Sequence, residues 1–175
     1  MPGGGSSPGL REAEKETKDK VIMMLTVDEL NEIIQKCAMR RYRLLILIND
    51  DSNKFARNAS IAYNYHLINL NLELSKILLS IEKIDYLIIK EKVEGIIGNN
   101  ETSIVTNFEL LFDKHLSLMP LKLFCNLSIN RTIVLVWPGK YSDSKLFYSE
   151  PGHIDYFEES ATDILILDMR NGGLL

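Results

Sequence analysis

The stretch "RLLILINDDSNKFARNAS", residues 43–60, holds the side chains best placed to meet a phosphate. An apolar run, Leu44–Ile48, leads into a polar turn and then a helix-compatible segment with Lys54 near its start. A strand, a turn and a helix N-terminus present backbone N–H groups and partial positive charge to an anion. A lysine there reaches the outer phosphates, and a following Ser or Thr holds magnesium. The pattern is G-x-x-x-x-G-K-[ST], in which glycine lets the backbone turn its N–H groups inward. With Lys54 in the lysine position, Ile48 and Asn53 stand where the glycines belong, and Phe55 replaces the metal-binding hydroxyl. No glycine lies between Gly9 and Gly95, so sliding the register repairs nothing. Asp50 and Asp51 would set negative charge beside a triphosphate. Asn49 or Asn53 can visit positive φ and keep a similar turn, and Ser52, Asn53 and Lys54 remain the residues that could touch a nucleotide. Residue chemistry favours an ordinary strand-to-helix turn capped by Asp51 or Ser52, and argues against ATP as a cofactor.

Other reactive residues are scattered. Cys37 and Cys125 are far apart and outside any C-x-x-C spacing, so neither a disulfide framework nor a zinc site is expected. His66, His115 and His153 are isolated, no metal site is expected, and His153 in "EPGH" reads as a turn residue bonded to backbone. Arg40, Arg41 and Arg43 form the one basic cluster; it reads as solvated surface, with DNA contact as the alternative. A net charge of −4 argues against a protein whose main task is to coat nucleic acid. Four N-x-[ST] triplets, beginning at Asn58, Asn100, Asn126 and Asn130, read as composition rather than glycosylation, given no secretory signal.

The framework for these residues can be read from length and pattern. At 175 residues, 46% hydrophobic and 25% charged, the chain suits one globular domain. No apolar run approaches the ~18 residues of a membrane span, and the cytoplasm is the expected compartment. Residues 1–20 read as a disordered tail or an appended remnant, and residues 21–175 as a single domain. Thr26 and Glu29 have capping-box spacing ahead of Leu30, Ile33, Ile34 and Cys37 at helical intervals. "RLLILI" predicts a strand buried on both faces, as in a parallel sheet. Residues 54–64 then read as helix, "YHLINLN" as strand, and "LELSKILLSIEKI" as helix continuing through 84–97. Residues 102–107 read as strand, "LKLFCNLS" as helix, and "RTIVLVWPG", "KLFYSEPG" and "DILILD" as strands. The alternation predicts a three-layer α/β domain around a mostly parallel sheet.

Three segments of the second half carry a likeness: "NLNLELSKILL" (69–79), "NFELLFD…MPLKLFCNLSINRTIVLVWPG" (107–139) and "KLFYSEPGHIDY" (145–156). Over roughly residues 40–168 the chain resembles BrxF, the small P-loop subunit of BREX phage-resistance systems. That family has an L-N-L-E-L-S stretch, a Walker-B-like L-D-N-x-E-x-L-F segment, an S-R-N-R-T strand entry ending in W-x-G, and a Y-A-x-P-G-H-x-E-Y motif. Asn107, Glu109, Leu111 and Phe112 match the Walker-B-like segment, with Thr106 in place of its aspartate. Ser128, Asn130, Arg131 and Thr132 match the next, with Ile129 in place of a basic residue. Trp137 and Gly139 match, as do Tyr148, Pro151, Gly152, His153 and Tyr156, while Asp155 replaces a glutamate.

The resemblance implies a P-loop NTPase-like fold whose phosphate glycines and both magnesium-handling positions, Phe55 and Thr106, are lost. It also implies that other phage-defence proteins are partners. Ring assembly, as in P-loop relatives, would make the chain a homo-oligomer, but an emptied site removes that reason for one. No membrane partner is implied. Arg131 is expected beside the former nucleotide cleft, as a phosphate sensor or in a salt bridge, with Glu109 as the candidate partner. The expected function is that of a non-catalytic assembly or regulatory subunit. The alternative is a residual nucleotide switch or slow ATPase using Ser52, Asn53, Lys54, Asn107, Glu109 and Arg131, associated with DNA.

Overall fold

A computed structural model describes residues 25–49, 51–169 and 173–175. The expected tail, residues 1–20, and the expected domain start at Val21 lie outside the described residues. Thr26 starts the first helix, α1 (Val27–Cys37), with both halves of a capping box. Its hydroxyl accepts from the Glu29 N–H at 3.1 Å, and the Glu29 carboxylate accepts from the Thr26 N–H at 2.7 Å. Leu30, Ile34 and Cys37 form the buried stripe of α1. Strand β1 (Leu44–Ile48) is buried at every residue. Because successive strand side chains point to opposite faces, Leu44, Ile46 and Ile48 enter one core and Leu45 and Leu47 the other.

The chain continues through α2 (Ser52–Tyr63), β2 (His66–Asn69), α3 (Leu70–Leu78), α4 (Tyr86–Ile97) and β3 (Thr102–Thr106). Two 3-10 turns, Glu109–Phe112 and Lys114–Leu116, precede α5 (Pro120–Leu127) and β4 (Thr132–Val136). Then come β5 (Lys140–Ser142), β6 (Lys145–Tyr148), β7 (Phe157–Ser160), β8 (Leu165–Asp168) and β9 (Gly173–Leu174). The main sheet has the order β2-β3-β4-β1-β8-β9. Its first five strands are parallel, and the two-residue β9 pairs antiparallel with β8. One core joins the sheet to α3, α4 and α5; the other joins it to α1 and α2. The architecture is therefore α/β, with helices on both faces of a mostly parallel sheet. From β1 the chain crosses to the far edge, works back to β4, and crosses β1 to reach β8. The order reverses at β1, and at such a point a crevice opens beyond the carboxyl ends of the strands.

Three elements differ from expectation. The helix expected to run from "LELSKILL" through residue 97 is two helices. Asp85, in extended conformation, accepts from the Ile88 N–H at 3.0 Å and starts α4 afresh. "YHLINLN" is strand only to Asn69, whose side chain accepts from the Leu72 N–H at 3.1 Å and so caps α3. Third, β5, β6 and β7 form a separate antiparallel sheet. Its first hairpin turns on Asp143 and Ser144, with φ of 48° and 60°. This small sheet is tied to α5, which has no side-chain cap of its own. The Glu159 carboxylate of β7 faces the backbone N–H groups of Leu121 and Lys122 in the first turn of that helix, and its Oε2 is buried without a hydrogen-bond partner among the described residues. Among the described residues no helix is long and apolar enough to cross a membrane.

Candidate functional site at the carboxyl end of the sheet

β1 and β3 are each followed directly by an asparagine with positive φ: Asn49 at 83° and Asn107 at 50°. Asparagine tolerates this left-handed region better than most residues, so the chain can turn sharply at the end of each strand. The Asn49 carboxamide donates to the Asp168 carboxylate at the end of β8. Between these strand ends and the small sheet lies a cleft of about 780 Å³, lined by Asn49, Asn53, Asn107, Glu109, Trp137, Gly139, Lys140, Tyr148, Glu150 and His153 among others. A second cavity of about 560 Å³ shares Asn53 and Asn107 with it and extends to Lys54, Arg57, Leu67, Asn69 and Thr106. The fold thus brings Asn53, Asn107, Glu109, Trp137, Gly139, Tyr148 and His153 to one cleft, and Lys54 to its extension.

The strand-to-helix connection is tight. A phosphate-binding loop places six residues, G-x-x-x-x-G, before its lysine. Here the corresponding residues run from Ile48 to Asn53, but Ile48 still belongs to β1, and Ser52 and Asn53 already belong to α2. Three residues, 49–51, remain for the turn, with the Ser52 N–H bonded to the Asn49 carbonyl at 3.0 Å. Asp51 occupies the capping position without a side-chain hydrogen bond. The Ser52 hydroxyl is buried with no hydrogen-bond partner among the described residues, so neither side chain caps as expected. Phe55 packs against the α1–α2 core. Thr106, where the resemblance implies an aspartate, donates its hydroxyl to the Ile68 carbonyl at 3.1 Å.

Glu109 is held by Asn71, which donates to its carboxylate at 2.7 Å. The same carboxamide accepts from the Leu110 N–H at 3.1 Å, and the Asn71 N–H donates to the Asn107 carbonyl at 2.6 Å. Asn71 thereby clamps the segment after β3. Its role is invisible to local pattern, since it lies 38 residues from Glu109. Arg131 is not beside this cleft. It precedes β4 at the amino end of the sheet and donates to the Gly98 carbonyl, so the expected pairing with Glu109 does not form. Arg40, at the same end, donates to the Asp163 carbonyl at 3.4 Å, and Arg41 lies over the Tyr42 ring.

All of "WPG", and Glu150 and His153 of "EPGHIDY", line the cleft across from Asn53 of α2. Trp137, 3% exposed, donates its indole N–H to the Phe147 carbonyl at 2.9 Å. Gly139 is required by the same contact: a Cβ there would lie 1.7 Å from the Phe147 oxygen. Tyr148 stacks on Phe112 with ring centroids 4.3 Å apart, and Phe108, Phe112 and Phe157 surround Trp137. Burial pushes the Tyr148 phenol above its usual pKa, and the Glu109 and Asp155 carboxylates push it the same way. Pro151 and Gly152 (φ 93°) are the central residues of a turn closed by the His153 N–H on the Glu150 carbonyl at 3.0 Å, the arrangement of a type II turn. His153 Nδ1 accepts from the Asp155 N–H at 3.2 Å. Tyr156 turns to Glu158, at 2.5 Å, and does not line the cleft.

Sequence reasoning missed Asn71, Arg57, Asn69 and Lys140 as contributors to this region. Among the described residues no group of three or more His, Cys, Asp or Glu is arranged to hold a metal ion. No family model, curated protein or solved structure matches the chain. Fold and site together define an α/β protein with a polar, two-lobed cleft at the switch point of its parallel sheet.

Proposed function

We propose that this chain is a non-catalytic, P-loop-like subunit that serves as an assembly or regulatory component, with partners among the proteins of a BREX-type phage-defence system. The observation that carries the non-catalytic part is the three-residue connection from β1 to α2. Too little chain remains between Ile48 and Ser52 to wrap a phosphate with inward backbone N–H groups. Phe55, half-buried against the α1–α2 core, and the Thr106 hydroxyl on the Ile68 carbonyl support the same reading at both magnesium positions. The defence setting rests on the sequence resemblance.

A second reading, a residual nucleotide switch, draws on the cavity that holds Asn53, Lys54 and Arg57 in front of α2. Calorimetric titration with ATP, with and without magnesium, separates the two. The expected result is no binding heat, for the native chain and for Lys54→Ala alike. Magnesium-dependent ATP binding abolished by Lys54→Ala would replace the first reading with the second.

A further inference from the structure

Edge strand β2 lies between two cavities. On its α3–α4 side a groove of about 240 Å³ runs along all four of its residues and is completed by Glu73 and Ile96. On its α2 side lies the cavity that contains Lys54 and Arg57, with Leu67 and Asn69 of β2 on its wall. The alternation of the strand explains the division: Ile68 enters the α3–α5 core, so Leu67 and Asn69 face α2. β2 ends the main sheet, with β3 as its one neighbour. The Ile68 carbonyl points to β3, where it takes the Thr106 hydroxyl. Alternate residues of a strand address opposite sides, so the N–H and carbonyl of Leu67 and the N–H of Asn69 face outward, while the Asn69 carbonyl, at the N-cap of α3, belongs to that helix. Leu67 is 37% exposed. Among the described residues neither Lys54 nor Arg57 forms an ion pair, although both are exposed.

We propose that β2 receives an extended acidic segment of a partner protein by strand addition, its alternate carboxylates meeting Lys54 and Arg57 and its intervening apolar residues entering the groove beside Ile96. Main-chain hydrogen bonds supply the attachment, and the two cavities select alternate side chains. Charge decides the occupant. A second copy's β2, "HLIN", brings no carboxylate to the two cations, whereas an acidic heterologous strand neutralises both. The inference rests on the proposed subunit role and names the surface that would perform it.

The probe is an eight-residue peptide of alternating valine and glutamate with a fluorescent label, titrated against the full chain without nucleotide. A valine–lysine peptide of the same length is the control. The acidic peptide should bind, and the basic one should be weaker by about tenfold or more. Lys54→Glu with Arg57→Glu, both on exposed sites, should reverse the preference. N-methylation of every second residue should abolish binding in one phase of the alternation and spare it in the other, because only one edge of the peptide pairs with β2. On binding, hydrogen exchange should slow at the Leu67 and Asn69 amides. Binding with no charge preference, equal loss in both methylation phases, no binding at millimolar peptide, or self-association lost in Leu67→Asp would overturn the proposal. None of these outcomes depends on the ATP titration. Failure of strand addition with ATP still unbound leaves the non-catalytic reading standing, whereas ATP that binds and displaces the peptide removes that reading.

Discussion

At Gly139 a single hydrogen atom stands where any other residue would put carbon against backbone. The Phe147 carbonyl occupies that space, and the Trp137 indole N–H reaches the same oxygen. Trp137 and Gly139 thus form a seam between the parallel sheet and the small antiparallel one, with exposed Pro138 between them. Gly139→Ala must move β6 away and forfeit the indole bond, so it should cost about 3 kcal/mol or more, at the diagnostic end of single substitutions. Trp137→Phe keeps most of the ring and removes only the donor, so its expected cost is about 1 kcal/mol of hydrogen bond plus a smaller packing loss. Thermal unfolding followed by circular dichroism tests the order. A Gly139→Ala variant as stable as the parent would mean that the seam is not closed in solution. The same two residues lay within the sequence likeness, but their spacing alone could not say whether they face solvent or core. Phe147 is the missing partner, and it lies 10 residues from Trp137.

Among the elements, those governed by local rules were legible and those governed by distant partners were not. The uninterrupted apolar run of β1 and the reciprocal Thr26–Glu29 bonds are local, and both appear as expected. The break between α3 and α4 was hidden because apolar residues continue through Ile81 and Ile84, while one Asp85 side chain restarts the helix. The small sheet was hidden for the opposite reason. Its strands are three or four residues long, and its hairpin turn lacks the glycine that usually announces such a turn. Where that sheet meets α5 stands Glu159, half-buried with its Oε2 unpartnered, and this placement predicts a pH dependence. Burial raises the Glu159 carboxyl above its ordinary value of 4.5, against the lowering effect of the Leu121 and Lys122 amides and the Lys122 charge. A carboxyl raised on folding binds its proton more tightly in the native state. Its contribution to stability is therefore full below pH 4.5 and declines as pH rises through the raised folded value. Glu159→Gln keeps an acceptor for the helix amides and removes the charge. The variant should melt at a higher temperature than the parent at about pH 7, with the gap closing toward about pH 4. A lower melting temperature at neutral pH would show that the charge's attraction to the α5 N-terminus outweighs its desolvation.

For the molecule as a whole, the parallel sheet separates two apolar cores that share no buried residue. Ile34 of α1 lies in one, Ile89 of α4 in the other, and both are fully buried. The cleft and the open edge of β2 sit where these layers meet, so it matters whether a change in one layer is felt in the other. A packed, two-sided strand such as β1 has no polar side chain with which to relay a small repacking. Loss of one methylene on each face should therefore be felt locally. Ile34→Val and Ile89→Val should each cost about 0.5–1.5 kcal/mol. With no shared neighbours, their double variant should cost the sum to within about 0.5 kcal/mol. Urea unfolding of the parent, the two single variants and the double variant provides the cycle. A coupling well above that margin would mean that the sheet transmits strain between its faces. A partner strand added at β2 could then alter the α1–α2 layer as well as the edge it occupies. Additivity would confine the effect of such a partner to the edge and its two cavities, the behaviour expected of a docking scaffold rather than of a conformational relay.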